Sequence, residues 1–267
     1  MNDKQQIEAF EMFLKILAKS AKLGANQILI HDNYSLPDRL PDLVFGQMSR
    51  NFSTGLINAV NRFFFDIRQA DSWVQVANSF QENDRASLLS LHAEPLLELS
   101  VSRPYSLRNQ FIFAVTHLLH QSNQLKNPEW RDDLPTNDWF NEKKDLLPRS
   151  NGWTKFPDFR AKLDLLNDDS FRKNATLDFR HRMQHRFGLH FDIGLQPHFM
   201  RSNKNGTMTY TYVLIPPLEL KMIIGKLVEQ HERAINIFQA YWNLLGEFND
   251  SWFNSAIFKK KTARKPT

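Results

Sequence analysis

The chain lacks cysteine altogether and has only 9 glycines among its 267 residues. The absence of cysteine excludes disulfide scaffolds, cysteine-ligated zinc sites and catalysis by a thiol. Glycine interrupts helices, and it is scarce here, whereas phenylalanine is abundant at 22 residues. This composition favours a helix-rich fold with an aromatic core.

Long apolar runs are also missing. The cleanest run, Phe111 to Val115, is far shorter than the roughly 20 residues that a membrane-spanning helix needs. The first ten residues, MNDKQQIEAF, are polar and show no basic segment followed by an apolar one, so we expect no secretory signal. We therefore expect a cytoplasmic protein with no membrane partner.

Excess positive charge is confined to one end of the chain. The net charge is +5, and the last nine residues hold five basic residues and no acid. The rest of the chain is therefore balanced, which argues against a protein that coats DNA through a broad cationic face. We expect residues 258–267 to form a basic, disordered tail that adds non-specific affinity for nucleic acid.

Hydrophobic periodicity predicts a mainly α protein, a helical bundle with a late β-hairpin inserted before the last long helix. The residue before a proline disfavours helix, so a break is expected at Arg103-Pro104. Asn203-Lys204-Asn205-Gly206 is a strong turn signal within the alternating segment 189–216, which predicts the hairpin. The predicted helices cover 7–23, 53–80, 84–100, 105–125, 159–166, 168–187 and 217–248.

Three regions are predicted along the chain. Residues 1–50 form an N-terminal helical extension, and residues 51–257 form a helical domain that contains a long loop at 126–156. Connections of that length are often functional or mobile. The chain has neither a G-x-x-x-x-G-K nor a G-x-G-x-x-G motif, so a parallel-sheet nucleotide-binding fold is not expected.

The most informative segment is LDFRHRMQHRFG, residues 177–188. Arg180 supplies a permanent positive fork for phosphate oxygens, and His185 titrates near neutral pH and can move a proton. On a straight helix these two side chains point about 140° apart. They converge if the helix ends near His185 or if two copies meet across a two-fold axis, and the second arrangement predicts a homodimer.

This segment resembles the R-x4-6-H signature of the HEPN domain superfamily, with the polar His181 directly after the arginine. The resemblance implies an α-bundle and, for many members, a metal-independent ribonuclease of a defence or toxin system with a composite site at a dimer interface. It also implies RNA as a partner and, for a toxin, an antitoxin or other protein partner. Other members have lost activity and act as binding modules. Phe187 stands where one toxin branch has a tyrosine, which argues against that branch.

Within this resemblance, Arg180 and His185 are the expected catalytic residues, and His181 is expected to orient the phosphate or shape the site. Arg108 and Asn109 near the start of a predicted helix are candidate substrate-binding residues, with a solvated first turn as the alternative. No cofactor or metal is expected in this mechanism, because the ribose 2′-hydroxyl is the nucleophile.

Two alternatives remain open from the sequence. The first is a non-catalytic HEPN-like interaction or nucleotide-binding module, which the balanced charge favours. The second is a helical metal-binding protein that uses His117 with His120, and His181 with His185, because these pairs have helical spacing. The aromatic runs at 63–65 and at Phe111 and Phe113 are predicted to lie in the core rather than to stack on bases.

Overall fold

The computed structural model describes residues 1–23, 27–34, 36, 43–127, 129–136, 140–179, 181–182, 190–192, 196–204 and 206–253. The predicted tail, residues 258–267, lies outside the described residues. Within them the chain is mainly α-helical with one antiparallel hairpin placed before the last long helix, which confirms the predicted fold class. Every described helix is too short or too polar to cross a bilayer.

The helices and strands follow in chain order. Shorter helical turns interrupt them: a 3₁₀ turn at His31–Tyr34 and π-helical turns at Leu89–Ala93, Glu142–Leu146 and Ser170–Ala175. The main elements are α1 Asp3–Leu23, α2 Leu43–Ala77, α3 Glu82–Leu88, α4 Glu94–Lys126, α5 Leu147–Arg149, α6 Phe156–Leu165, β1 Gln196–Lys204, β2 Thr207–Ile215 and α7 Leu220–Phe253.

The predicted helix break at Arg103-Pro104 is wrong, because α4 continues through Pro104. Proline removes only one backbone N–H from the helical ladder, and tertiary contacts offset that loss. The Arg103 guanidinium lies 3.0 Å from the carboxylate of Asp66, whose side chain is fully buried on α2. This ion pair with a buried carboxylate holds this turn of α4 in place although its local sequence disfavours helix.

The single helix predicted over 168–187 is also wrong in its first half. The π-helical turn Ser170–Ala175 is followed by Leu177 and Asp178, which adopt left-handed φ angles of 50° and 58°. A right-handed helix cannot pass through such residues. Helical conformation resumes at Phe179, so the chain turns at the start of the segment 177–188.

The chain divides into two compact units, each built from three separate stretches of sequence. The first unit comprises 1–26, 64–103 and 168–229, and the second comprises 27–63, 104–167 and 230–267. The chain passes from one unit to the other within each of the long helices α2, α4 and α7.

The core of the first unit forms where α1 meets α2. The ring of Phe13 stacks on Trp73 with centroids 4.3 Å apart, and Trp73 stacks in turn on His92 at 4.1 Å. Arg68 donates a hydrogen bond of 2.8 Å to the carbonyl oxygen of Leu17. Aromatic stacking and this side-chain contact attach the N-terminal helix to the rest of the unit.

The second unit has an aromatic core with buried polar groups in it. Phe111 packs edge-on against both Phe159 and Tyr241. The Tyr241 hydroxyl lies 3.0 Å from the Ser53 hydroxyl, and this hydrogen bond satisfies both groups away from water. His231, only 1% exposed, packs edge-on against Phe63.

The predicted core positions are only partly buried. Phe63, Phe64 and Phe111 lie in the core, as expected, whereas Phe65 is 39% exposed and Phe113 is half-buried. The exposed part of Phe113 belongs to a cavity described below.

The described parts of the 126–156 segment are attached to the second unit by buried side chains. Arg149 and Trp153 are each only 4% exposed. The Asn123 side chain donates to the Arg149 carbonyl at 2.8 Å and accepts from the Trp153 indole at 2.9 Å. One amide on α4 therefore fixes the end of this segment at two points.

Candidate functional site

The two expected catalytic residues, Arg180 and His185, lie outside the described residues. The structure describes Phe179, directly before Arg180, and His181 and Arg182, directly after it. Phe179 is buried and its ring lies 5.3 Å from that of Phe191. His181, the expected phosphate-orienting residue, is helical and exposed. Within residues 177–188, Phe179 therefore anchors the chain in the core, and the His181 side chain is exposed to solvent.

Arg108, a candidate substrate-binding residue, is engaged in ion pairs. Its guanidinium lies 2.6 Å from the carboxylate of Glu142 and 3.4 Å from that of Asp164. Arg160 pairs with the same two carboxylates. Two cations and two anions make this cluster neutral, so Arg108 has no excess positive charge to offer a phosphate.

Asn109, the other candidate from α4, lines a cavity of about 650 Å³ in the second unit. Cavities of this size lie within the range that binds small molecules. Residues from α2, α4 and the segment after α4 contribute to it: Asn51, Phe52, Gly55, Leu56, Ala59, Tyr105, Asn109, Gln110, Ile112, Phe113, Ala114 and Phe140.

The ring of Phe113 contacts two other phenylalanine rings of this cavity. Phe113 stacks on Phe140, with centroids 5.4 Å apart and ring planes 20° from parallel, and meets Phe52 edge-on at 5.6 Å. All three side chains are half-buried, so each keeps part of its ring surface accessible. The cavity therefore offers exposed aromatic surface next to the amide of Asn109.

The histidines considered as metal ligands have other contacts. His117 packs against the rings of Phe113 and Phe140, with centroids 4.6 and 4.9 Å away. Among the residues that the structure describes, no group of three or more potential metal ligands occurs. The pair His181 and His185 cannot be compared, because His185 lies outside those residues.

His120 is almost fully buried among polar partners. Its Nε2 lies 2.9 Å from the carboxylate of Asp132, and its Nδ1 accepts hydrogen bonds from the Trp130 indole and the Arg149 guanidinium. Burial lowers the pKa of His120. The carboxylate of Asp132 raises this pKa, whereas the positive charge of Arg149 lowers it further. These contacts give the imidazole a structural role in attaching the 126–156 segment.

The β-hairpin carries a surface that the sequence reasoning missed. Phe199 pairs with Tyr212 across the strands, and Arg201 pairs with Tyr210. Because paired residues share a face, these four side chains project together, and we call this surface the aromatic face. Phe199 and Tyr210 are each 67% exposed, and Tyr212 is 56% exposed. Met208 and Leu214 extend the same face and are also exposed.

Contacts along the hairpin hold this face in order. The rings of Phe199 and Tyr212 meet edge-on at 5.3 Å, and the Arg201 guanidinium lies 5.9 Å from the centroid of Tyr210. At the turn, Asn203 accepts a hydrogen bond from the N–H of Gly206, whose φ of +82° suits glycine. The predicted hairpin is thus confirmed, whereas Asn205 of its predicted turn lies outside the described residues.

The hairpin is also free of carboxylates. Between Asp192 and Glu219 the sequence has no acidic residue, whereas it has His198, Arg201 and Lys204. The signal that could have revealed this surface is the alternation of Met208, Tyr210, Tyr212 and Leu214 with threonines and Val213, because it places large side chains on one face of a short strand. A hairpin with a buried apolar face would look the same in sequence, so only the structure shows that the face is exposed.

No family model, no curated protein and no solved structure matches this chain. The resemblance to HEPN domains therefore rests on the sequence of residues 180–185 and on the helical context predicted for it.

Proposed function

We propose that this protein is a HEPN-like RNA-binding protein that cleaves single-stranded RNA without a metal ion. The observation that supports RNA binding is the aromatic face of the hairpin, where three exposed rings stand beside Arg201 in a segment without carboxylates. His181 and the described hairpin belong to the same compact unit.

The chemistry of the aromatic face suits a single strand. Every base has a flat face that stacks on an aromatic side chain, and stacking of this kind contributes about 1–3 kcal/mol per base. A guanidinium contacts phosphate, and the absence of carboxylates removes repulsion from the backbone. In a duplex the base faces are stacked on one another and inaccessible, so the surface favours unpaired RNA.

The cleavage step proposed for Arg180 and His185 needs no group from outside the substrate and protein. The ribose 2′-hydroxyl attacks the adjacent phosphorus while the neutral imidazole of His185 accepts its proton, and the resulting imidazolium then donates that proton to the departing 5′-oxygen. Arg180 stabilises the negative charge that builds up on the phosphate oxygens. The P–O5′ bond breaks, and the products are a 2′,3′-cyclic phosphate and a 5′-hydroxyl.

Binding is tested with a fluorescent single-stranded RNA and the variants Tyr210→Ala and Tyr212→Ala. We expect each to weaken binding by about 5- to 100-fold, because each removes one stacking platform. Thr211→Ala is the matched control, because Thr211 is exposed on the same strand but on the opposite face. Equal affinity of all four proteins for RNA would refute the proposed surface.

The charge contribution is tested separately with Arg201→Ala. Loss of one phosphate contact lowers the slope of log K against log salt by about 0.7 for a single strand. A slope identical to that of the wild type would show that Arg201 does not contact phosphate.

Cleavage is tested in excess chelator with Arg180→Ala and His185→Ala. We expect each variant to lose activity by roughly 100- to 1,000-fold while it still binds RNA, because the lost groups act on the transition state. Arg180→Lys should restore little, since an ammonium group cannot form the bidentate contact. Cleavage that depends on added metal, or that survives in both alanine variants, contradicts this mechanism.

A second candidate is a non-catalytic interaction or nucleotide-binding module. The neutralised ion-pair cluster around Arg108 favours it, because that arginine adds no charge for a transition state. A wild-type protein that binds RNA through the aromatic face and never cuts it would establish this candidate instead.

A further inference from the structure

The cavity in the second unit is built by regular stripes on two helices. Positions 51, 55 and 59 of α2 follow at intervals of four, as do positions 105, 109 and 113 of α4. Residues four apart lie on one face of a helix, so each helix presents a continuous strip of lining residues. Two walls of the cavity therefore follow from the helical pattern, and Phe140 from the segment after α4 completes the lining.

Small side chains create much of the space. Gly55 is exposed, and a Cβ placed on it would meet no atom within 4 Å. Ala59 and Ala114 also line the cavity. A larger side chain at Gly55 would have room, so glycine is not required there by close packing.

The polar groups that line the cavity are mostly amides, which both donate and accept hydrogen bonds. The side chains of Asn109 and Gln110 form no hydrogen bond with any residue in the described ranges. The carbonyl oxygen of Asn51 accepts a hydrogen bond from Gln47 at 2.9 Å. A half-buried amide such as Asn109 therefore has hydrogen-bonding capacity to offer a ligand.

Charge is missing from this lining. Of the described residues that line the cavity, none is acidic or basic. Without a cation the cavity does not compensate a phosphate or carboxylate, and without an anion it does not compensate an amine. The lining therefore favours an uncharged ligand.

We propose that this cavity binds an uncharged, planar heteroaromatic molecule with hydrogen-bond donors and acceptors on its edge, such as a free base or a nucleoside. The ligand stacks on the exposed ring surfaces of Phe52, Phe113 and Phe140. The side-chain amides of Asn109 and Gln110 form hydrogen bonds with the edge of the ligand. This small-molecule site lies in the second unit and does not depend on RNA binding by the hairpin.

The proposal is tested by calorimetric titration of the full chain with a panel of uncharged heteroaromatic compounds. The panel contains free bases, nucleosides, nicotinamide and indole, and the nucleoside 5′-monophosphates are included for comparison. We expect at least one uncharged compound to bind, and its phosphorylated form to bind at least 10-fold more weakly. Failure of every uncharged compound to bind at millimolar concentration overturns the proposal.

Two variants locate the site. Gly55→Phe should weaken binding at least 10-fold by filling the cavity, and Asn109→Leu should weaken it about 10-fold by removing the amide. Gly225→Phe is the control for a ring on an exposed helical glycine, because a Cβ on Gly225 also meets no atom within 4 Å. Circular dichroism melting checks that all three proteins fold.

The outcomes separate the possible occupants. Binding that Gly55→Phe abolishes and Gly225→Phe preserves supports the proposal. Binding that is equal in all variants places the ligand elsewhere and overturns it. A change of oligomeric mass in Gly55→Phe, with no compound bound by the wild type, also overturns it and assigns the cavity to contact between copies of the chain.

Discussion

Removal of the buried imidazole of His231 should change how the stability of the protein depends on pH. Burial lowers the pKa of His231 from its ordinary value of 6.5 to about 4, although a hydrogen bond to the backbone of Val60 opposes this shift. In the unfolded chain the imidazole takes up a proton as the pH falls through about 6.5. In the folded protein it stays neutral until about pH 4.

The sign and size of the effect follow from this difference. Above about pH 7 the group is neutral in both states and contributes nothing to the pH dependence. Below that, the unfolded state binds more protons, so stability falls by about 1.4 kcal/mol per pH unit from this residue alone. Between pH 7.5 and pH 5 the expected loss is about 2 kcal/mol, and it approaches 3 kcal/mol near pH 4.

The assay compares urea unfolding of the wild type and His231→Asn at several pH values. Asparagine keeps a hydrogen-bond donor and does not titrate, so the stability difference between the two proteins should shift by about 2 kcal/mol against the wild type from pH 7.5 to pH 5. Ile237→Val, a change in the same helix that only removes buried volume, should lower stability by about 0.5–1.5 kcal/mol at every pH. A difference between wild type and His231→Asn that is constant with pH would refute the reasoning.

Three further results are expected. Gly55→Ala should raise the free energy of unfolding by roughly 0.5–1 kcal/mol, because alanine lowers the entropy of the unfolded chain and its Cβ meets no atom; a loss of stability in urea unfolding would contradict the open space at this position. Arg149→Met should lower stability by about 1–3 kcal/mol, because it removes hydrogen bonds to the Asp145 carbonyl and His120; an unchanged urea midpoint would show that these contacts contribute little. If the motif acts across a two-fold axis, light scattering at micromolar concentration should give about twice 31.4 kDa, whereas a monomer at every concentration would count against a composite site.

The sequence was sufficient for α1, α7 and the hairpin, because their signals are local. Periodicity marks α1 and α7, and Asn205-Gly206 marks the turn between the strands. It failed at Pro104, where the buried pair of Asp66 with Arg103 offsets a local preference against helix. Prediction from the sequence failed again at Leu177, because the left-handed turn there contains no glycine, the residue that usually indicates such a turn.

For the candidate sites, too, the local sequence indicates individual residues but not the contacts that depend on residues distant in the chain. The polarity of Asn109 makes it a candidate binding residue, with a solvated first turn as the alternative, but the cavity that it lines also involves Gly55 and Phe140, which are distant in sequence. The ion pairs of Arg108 involve residues 34 and 56 positions away, so no local pattern reveals that its charge is neutralised. The prediction for Arg180 and His185 stays a prediction, because both lie outside the described residues.

The division of each unit into three stretches of sequence has a consequence for synthesis on the ribosome. The second unit requires residues 230–253 of α7, where Tyr241 packs on Phe111. A ribosome that adds about 5–20 residues per second needs roughly 3–13 s to extend the chain from residue 167 to residue 230. During that interval Phe111 has been synthesised but Tyr241, which packs on it, has not, so the nascent chain exposes apolar surface to aggregation and to chaperones until residues 230–253 follow.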